Sequence, residues 1–231
     1  MGDSTVSTHC TTCVTRFRCL FFDLFKNTFS PGSKHGFILT EHTIPKGTVA
    51  QKEGHVSTCL QVVKAGYLYG QRAINGQETP VSISGPGHVL GALSVLQAPC
   101  PISSVAYTDV RVCRANQADA ILQFGHTDAA QKFGLLLHKA MQELVHWVDI
   151  HRINGIPARA ESALRHLTGQ QGSRMVRIPE QAVFARLLGC SRETLARSLQ
   201  HLEQQGRIRR AGRGHIEVNV PFYLGTETMA D

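Results

Sequence analysis

Three thiols fall within ten residues of each other near the start of the chain: Cys10 and Cys13 as a C-x2-C pair, then Cys19 after five more residues. The chain between them is short enough to wrap one site, and thiolates are ligands for soft metals. Zinc would want a fourth ligand and usually a second C-x2-C pair, which is absent. A four-thiolate iron–sulfur cluster wants one more cysteine, which can come from far along the chain. Two candidates stand downstream, Cys100 between Pro99 and Pro101, and Cys113 in the run Tyr107-Thr108-Asp109-Val110-Arg111-Val112-Cys113. Cys59 sits in an apolar run and Cys190 in a turn, and both read as packing residues. Arg16 and Arg18 flank the first thiols and would lower their pKa, so a thiol redox switch or a zinc site without iron stays open. The total of seven cysteines is odd, and a reducing compartment disfavours pairing them as disulfides.

A second chemistry lies at residues 191–206. Leu195, Leu199 and Leu202 recur at i, i+4 and i+7, one apolar stripe on a helix. Ser191 stands at the N-cap position and Gly206 just past the end. Arg192, Glu193, Ala196, Arg197 and Gln200 fall on the opposite face. Residues 181–188 read as a shorter helix stopped by Gly189, so Gly189-Cys190-Ser191 is the tight turn of a helix-turn-helix. In a major groove Arg192 and Arg197 would each offer a guanidinium fork to guanine, and Glu193 would accept from cytosine N4. Residues 207–218 alternate around a Gly-rich turn and read as a winged hairpin. Its arginines, Arg213 among them, suit phosphate contacts that fix register without reading sequence. Double-stranded DNA is the expected partner. No Gly-rich phosphate loop, nucleophile elbow or paired His-Glu metal motif appears, so an enzyme is not expected.

The elements that must position these residues fall into a fold of class α+β. Between residues 21 and 126 short apolar segments are punctuated by glycine. Residues 58–63, 66–70 and 79–84 read as strands, Asn75-Gly76 as a type I′ hairpin turn, and Gly85-Pro86-Gly87 as another turn. Many short strands with regular turns argue for a β-roll or jelly roll. Residues 127–154 read as one helix about 40 Å long. Along it Phe133, Leu137, Ala140, Leu144, Trp147 and His151 step by four and three, the seam of a parallel dimer helix. Asn154, Gly155, Ile156 and Pro157 make a hinge, and residues 158–168 a further helix before a short strand at 175–178. The expected domains are thus 1–20, a cysteine segment; 21–126, the roll; 127–154, the dimerisation helix; and 155–231, the winged helix-turn-helix. The tail from residue 224 is polar and expected to fray. The 231 residues carry a net charge of +7, compatible with an anionic partner. No apolar run is long enough to cross a membrane, and residues 1–12 lack the apolar core of a signal peptide, so the expected location is the cytoplasm.

Gly189-Cys190-Ser191-Arg192-Glu193-Thr194 followed by Leu195-Ala196-Arg197 resembles the recognition helix of the Crp/Fnr superfamily of bacterial transcription regulators. The spacing of His9-Cys10, Cys13 and Cys19 ahead of a roll is similar to the cluster segment of its oxygen-sensing Fnr-like subgroup. The resemblance covers nearly the whole chain. It implies an oxygen-labile [4Fe-4S] cluster on Cys10, Cys13, Cys19 and Cys113, the last on the strand that carries the fourth ligand in that subgroup. It further implies a homodimer, palindromic promoter sites and RNA polymerase as a partner. The family's roll can instead hold cyclic AMP, through Gly-Glu-Leu and a downstream Arg-Ser. Here those places read Gly91-Ala92-Leu93 and Ile102-Ser103-Ser104-Val105, without carboxylate or arginine, so cyclic AMP is not expected. Fnr helices read Glu-x-x-Ser-Arg. Ala196 replaces that hydroxyl and Arg192 adds a guanine reader as in Crp, which favours TGTGA-type over TTGAT-type half-sites.

Overall fold

Strand β8 (Val110–Asn116) shows how the sequence builds the N-terminal unit. Its side chains alternate between two interiors. Val110 and Val112 point into one apolar cluster, with Val63, Leu68, Leu90 and Ala106. Cys113 and Ala115 join another, with Cys10, Cys19, Leu20, Phe21, Leu39, Leu60, Val62 and Val89. A strand has period two, so a sheet covered on both faces needs apolar residues at both phases.

The computed structural model describes residues 10–25, 39–118 and 127–219. The chain divides into two compact units, Met1–Leu144 and Val145–Asp231. In the first, β1 (Thr40–Ile44), β8, β3 (Cys59–Ala65) and β6 (Val89–Leu90) form one antiparallel sheet. A second sheet orders β2 (Val49–Gln51), β7 (Ser103–Ala106), β4 (Leu68–Ile74) and β5 (Gln77–Ser84). The cluster around Val63 and Leu68 draws on both sheets, as in a roll. Asn75 and Gly76, at φ 51° and 77°, make the expected left-handed hairpin turn between β4 and β5. Helix α1 (Leu20–Phe25) and the two short 3-10 turns before it lie over the outer face of β3 and β8.

His88 follows the turn at Gly87. Burial pushes its imidazole down to about 4, with Glu143 on helix α2 (Thr127–Arg152) opposing. A folded pKa below the unfolded value near 6.5 means that only the unfolded chain takes up a proton first. Stability is therefore full above pH about 6.5 and falls as pH drops towards 4. Urea midpoints measured between pH 7.5 and 5 should fall for the native chain and flatten in His88→Gln.

The second unit is helical. Helix α3 (Ile156–Gln171) buries Ala160, Ala163, Leu164 and Leu167. Helix α4 (Gln181–Leu187) buries Phe184, Ala185 and Leu187, and α5 (Arg192–Gln204) buries Leu195, Leu199 and Leu202. Each such leucine contributes about 1.5–3 kcal/mol on burial. The sheet β10-β11-β9 (Ile208–Arg210, His215–Val218, Met175–Arg177) completes the winged arrangement.

Exposure along α2 differs from what the stripe expected as a dimer seam would need in a single chain. Phe133 is 7% exposed and Trp147 only 1%, so both are used up in packing within their own chain. Trp147 meets His166 of α3 edge-on, with ring centroids 5.4 Å apart. His151 is half-buried and hydrogen-bonds the Leu187 carbonyl. The large apolar residues exposed on α2, among those described, are Leu135, Met141, Leu144, Val145 and Val148. Leu137, Met141, Leu144 and Val148 also step by four and three, a seam turned by one residue that keeps Leu137 and Leu144 and omits the exposed Ala140. Among the described residues no helix is long and apolar enough to cross a membrane. The expected frayed tail lies outside them, beyond Asn219.

A reading helix and a pocket of four cysteines

The turn before α5 is held by its own sequence. Ser191, with extended backbone (φ −74°, ψ 158°), accepts the Thr194 N–H on its hydroxyl at 3.1 Å. Leu195, Leu199 and Leu202 face inward, which leaves Arg192, Glu193 and Arg197 exposed on the outer side and Ala196 at its margin. A hydrogen bond from its own backbone N–H and another from Ser191 hold the Glu193 carboxyl below its usual range. The Arg192 and Arg197 charges add to that effect. Two guanidinium forks and one ionised acceptor thus leave the same first turns of the helix, groups of the kinds that can pair with base edges.

Three of the wing's arginines have carboxylate partners in the chain itself. Arg207 donates to Glu161 at 2.6 and 3.0 Å. Arg209 bonds Glu217 at 2.7 Å, and Arg210 takes both carboxylate oxygens of Glu203, at 2.9 Å through its backbone N–H and 2.7 Å through Nε. These three arginines brace the domain. Arg213, at the turn, is exposed and has no ion pair among the described residues.

Cys10, Cys13, Cys19 and Cys113 line one pocket, with Thr15, Arg16, Phe21, Phe22, Leu39, Val62 and Lys64. Successive tight turns, Cys13 N–H to the Cys10 carbonyl at 3.3 Å and Cys19 N–H to that of Arg16 at 3.2 Å, curl the segment over the sheet. The alternation of β8 brings Cys113 up from below. Cys100 does not line the pocket. Its backbone pairs instead with Gly54 and His55 at 2.9 Å. Burial pushes the Cys10 thiol up to about 11 and that of Cys113 up to about 12, and the neighbouring thiols push the same way. Lys64 opposes both shifts. Its ammonium is held above its ordinary range chiefly by a 2.7 Å bond to Glu41. The expectation of low-pKa thiols beside Arg16 and Arg18 therefore fails for Cys10, where burial outweighs the one nearby cation that lowers it, Lys64. The Arg16 guanidinium instead sits 4.4 Å over the Phe17 ring.

Among the described residues no three of His, Cys, Asp and Glu are arranged to hold a single metal ion. Four cysteines around one pocket match the number and kind of protein ligands that a [4Fe-4S] cluster takes. The donor set fits that group.

In the roll, Gly91 has φ +75°, and a Cβ there would stand 2.3 Å from the Cys59 carbonyl oxygen. Ser103 and Ser104 are buried in β7. The stretch from Ile102 to Val105 holds no cation for a phosphate.

Residues 158–224 match the family described as the Crp-like helix-turn-helix domain. The cyclic AMP receptor protein of Thermus thermophilus is 27% identical over 177 residues, 75% of this chain and 81% of that one. A CRP-like cAMP-activated global transcriptional regulator of Mycobacterium tuberculosis is 25% identical over 179 residues, 73% of this chain and 80% of its own. Among solved structures, FixK2 from Bradyrhizobium japonicum superposes with a TM-score of 0.70 at 17% identity, covering 79% of this chain and 93% of that one. The fold and the helix-turn-helix define a DNA-binding transcription regulator. Residues 158–224 are thus similar to the Crp-like helix-turn-helix domain, and about three quarters of the chain is similar to Crp-type proteins.

Proposed function

We propose that the chain is a redox-responsive regulator in which Cys10, Cys13, Cys19 and Cys113 hold a [4Fe-4S] cluster. A homodimer of it would read palindromic promoter sites through Ser191, Arg192, Glu193, Arg197 and Arg213, with RNA polymerase as its further partner. The observation that carries the reading is the convergence of those four thiols in one pocket. A bound cluster would supply oxygen sensitivity, since air degrades such clusters.

The chain's own residues carry the rest. Cys10, Cys19 and Cys113 share their apolar cluster with Leu136 of α2, so order in the cysteine segment supports the helix that bears the exposed seam. Gly87 meets the same segment, its missing Cβ leaving room for the Arg18 carbonyl at 2.7 Å. Anything that binds only the ordered state stabilises it by mass action.

The test is an absorption spectrum with iron and sulfide analysis on protein purified without oxygen, repeated after exposure to air. About four irons and four sulfides per chain, lost in air together with DNA affinity, is the expected result. Colourless, iron-free protein that binds DNA equally well in both conditions would refute it.

A second reading follows from the relatives named as cyclic AMP receptors or as cAMP-activated: a small ligand in the roll. The missing carboxylate at Ala92 and the lack of an arginine in Ile102-Ser103-Ser104-Val105 argue against cyclic AMP. Equilibrium dialysis with that nucleotide separates the two readings.

On the DNA side, Arg192→Ala should weaken binding to a TGTGA-type site by about 1–3 kcal/mol and relax preference at one base pair. Competition with single-base variants measures this. An equal loss on every sequence would make Arg192 a phosphate contact instead.

A further inference from the structure

At the junction between the dimer helix and the helix-turn-helix, four donors from two side chains converge on backbone carbonyls. Arg159, in the first turn of α3, donates Nη1 to the Leu188 carbonyl at 2.7 Å. Its Nε and Nη2 both reach the Ile153 carbonyl, at 3.3 and 3.1 Å. Ile153 is the residue after α2 ends, and Leu188 is the C-cap of α4. His151, in the last turn of α2, donates to the Leu187 carbonyl one residue earlier. Gly189 completes the arrangement. Its φ is +69°, and a Cβ there would stand 3.4 Å from Arg159 Nη1 and 3.8 Å from His151 Nδ1.

The carbonyls at a helix C-terminus lack intrahelical partners and must be satisfied from outside. Here the donors come from the last turn of α2 and from a residue that also grips the chain just beyond it. The covalent link between α2 and α3 is only Ile153, Asn154 and Gly155, and Gly155 has φ +83°. Such a link leaves torsional freedom that the hydrogen bonds remove.

We infer that Arg159 is a positioning residue for DNA binding, which with His151 locks the first helix of the helix-turn-helix to the end of the dimer helix. The lock matters where two reading helices must be presented together. A two-fold dimer meets half-sites one helical turn apart only if each α5 is held at a fixed angle to its α2. Binding to a single half-site makes no such demand. The inference rests on the palindrome-reading homodimer proposed above.

The test measures affinity of the full chain for a palindromic duplex and for a duplex carrying one half-site. Arg159→Met, which keeps length and removes every donor, is expected to lose about tenfold on the palindrome, within the range of site-to-site coupling. Its half-site affinity should stay within about twofold of the native chain, below the smallest such coupling. Arg159→Lys, which restores a cationic donor, should recover part of the loss. His151→Gln, which keeps a donor, should bind as the native chain does, and His151→Leu should lose on the palindrome alone. Equal losses on both duplexes would reduce Arg159 to a general support of the fold and overturn the inference, as would no loss on either. If the native chain itself shows no preference for the palindrome, the two-fold reading fails and the lock fails with it.

Discussion

Cys113→Ala protein purified without oxygen is expected to carry no cluster iron, whereas Cys100→Ala protein should retain about four irons per chain. The two cysteines are equally hidden, at 5% and 4% exposed. Only Cys113 lines the pocket with Cys10, Cys13 and Cys19. Removing it leaves three sulfurs, so one iron site has no protein ligand. The substitution removes a single heavy atom from an apolar cluster, which costs roughly 1 kcal/mol, so the fold should survive. Circular dichroism on the same sample separates loss of iron from loss of structure. Without iron, the buried thiols of Cys10 and Cys113 stay protonated at neutral pH, since burial holds them at about 11 and 12. A Cys113→Ala protein that keeps its iron while Cys100→Ala loses it would transfer the ligand role to Cys100.

How far the sequence foretold these features depends on the range of the interaction. The reading helix was legible because its signals are local: Ser191 caps within one turn, and the stripe Leu195, Leu199, Leu202 needs no knowledge of its partner. Strands β3, β4 and β5 were legible for the same reason, down to the Asn75-Gly76 turn. The sequence left open which stripe of the long helix stays exposed: Phe133 and Trp147 are buried in the single chain, whereas Met141 and Val148 are not. A heptad pattern fits the stripe through Phe133 and Trp147 as well as the one through Met141 and Val148, and periodicity cannot say which large residues the chain needs for its own core. The braced wing was hidden because the Arg207 partner, Glu161, lies 46 residues away. The Arg159 lock was hidden too. It acts on a carbonyl 29 residues downstream, and carbonyls leave no trace in side-chain types.

Val148→Asp should convert the protein to a monomer in sedimentation experiments at micromolar concentration, with its helical circular dichroism intact. Val148 is 52% exposed, so a carboxylate there costs the single chain little. In a parallel two-fold dimer each seam residue faces its own copy. Two aspartates would then meet across an apolar contact, and such like-charge juxtaposition costs several kcal/mol. Affinity for a palindromic site should fall by a factor on the order of 100 or more, while affinity for a single half-site changes little. Trp147→Ala makes the contrast. At 1% exposed, that indole belongs to the packing of its own chain, and its loss should cost about 3–5 kcal/mol of folding stability before any question of dimerisation arises. If the seam instead ran through Phe133, Ala140 and Trp147, Val148→Asp would lie beside it and the dimer would persist. A stable dimer in that variant would therefore return the interface to the stripe the heptad pattern first suggested.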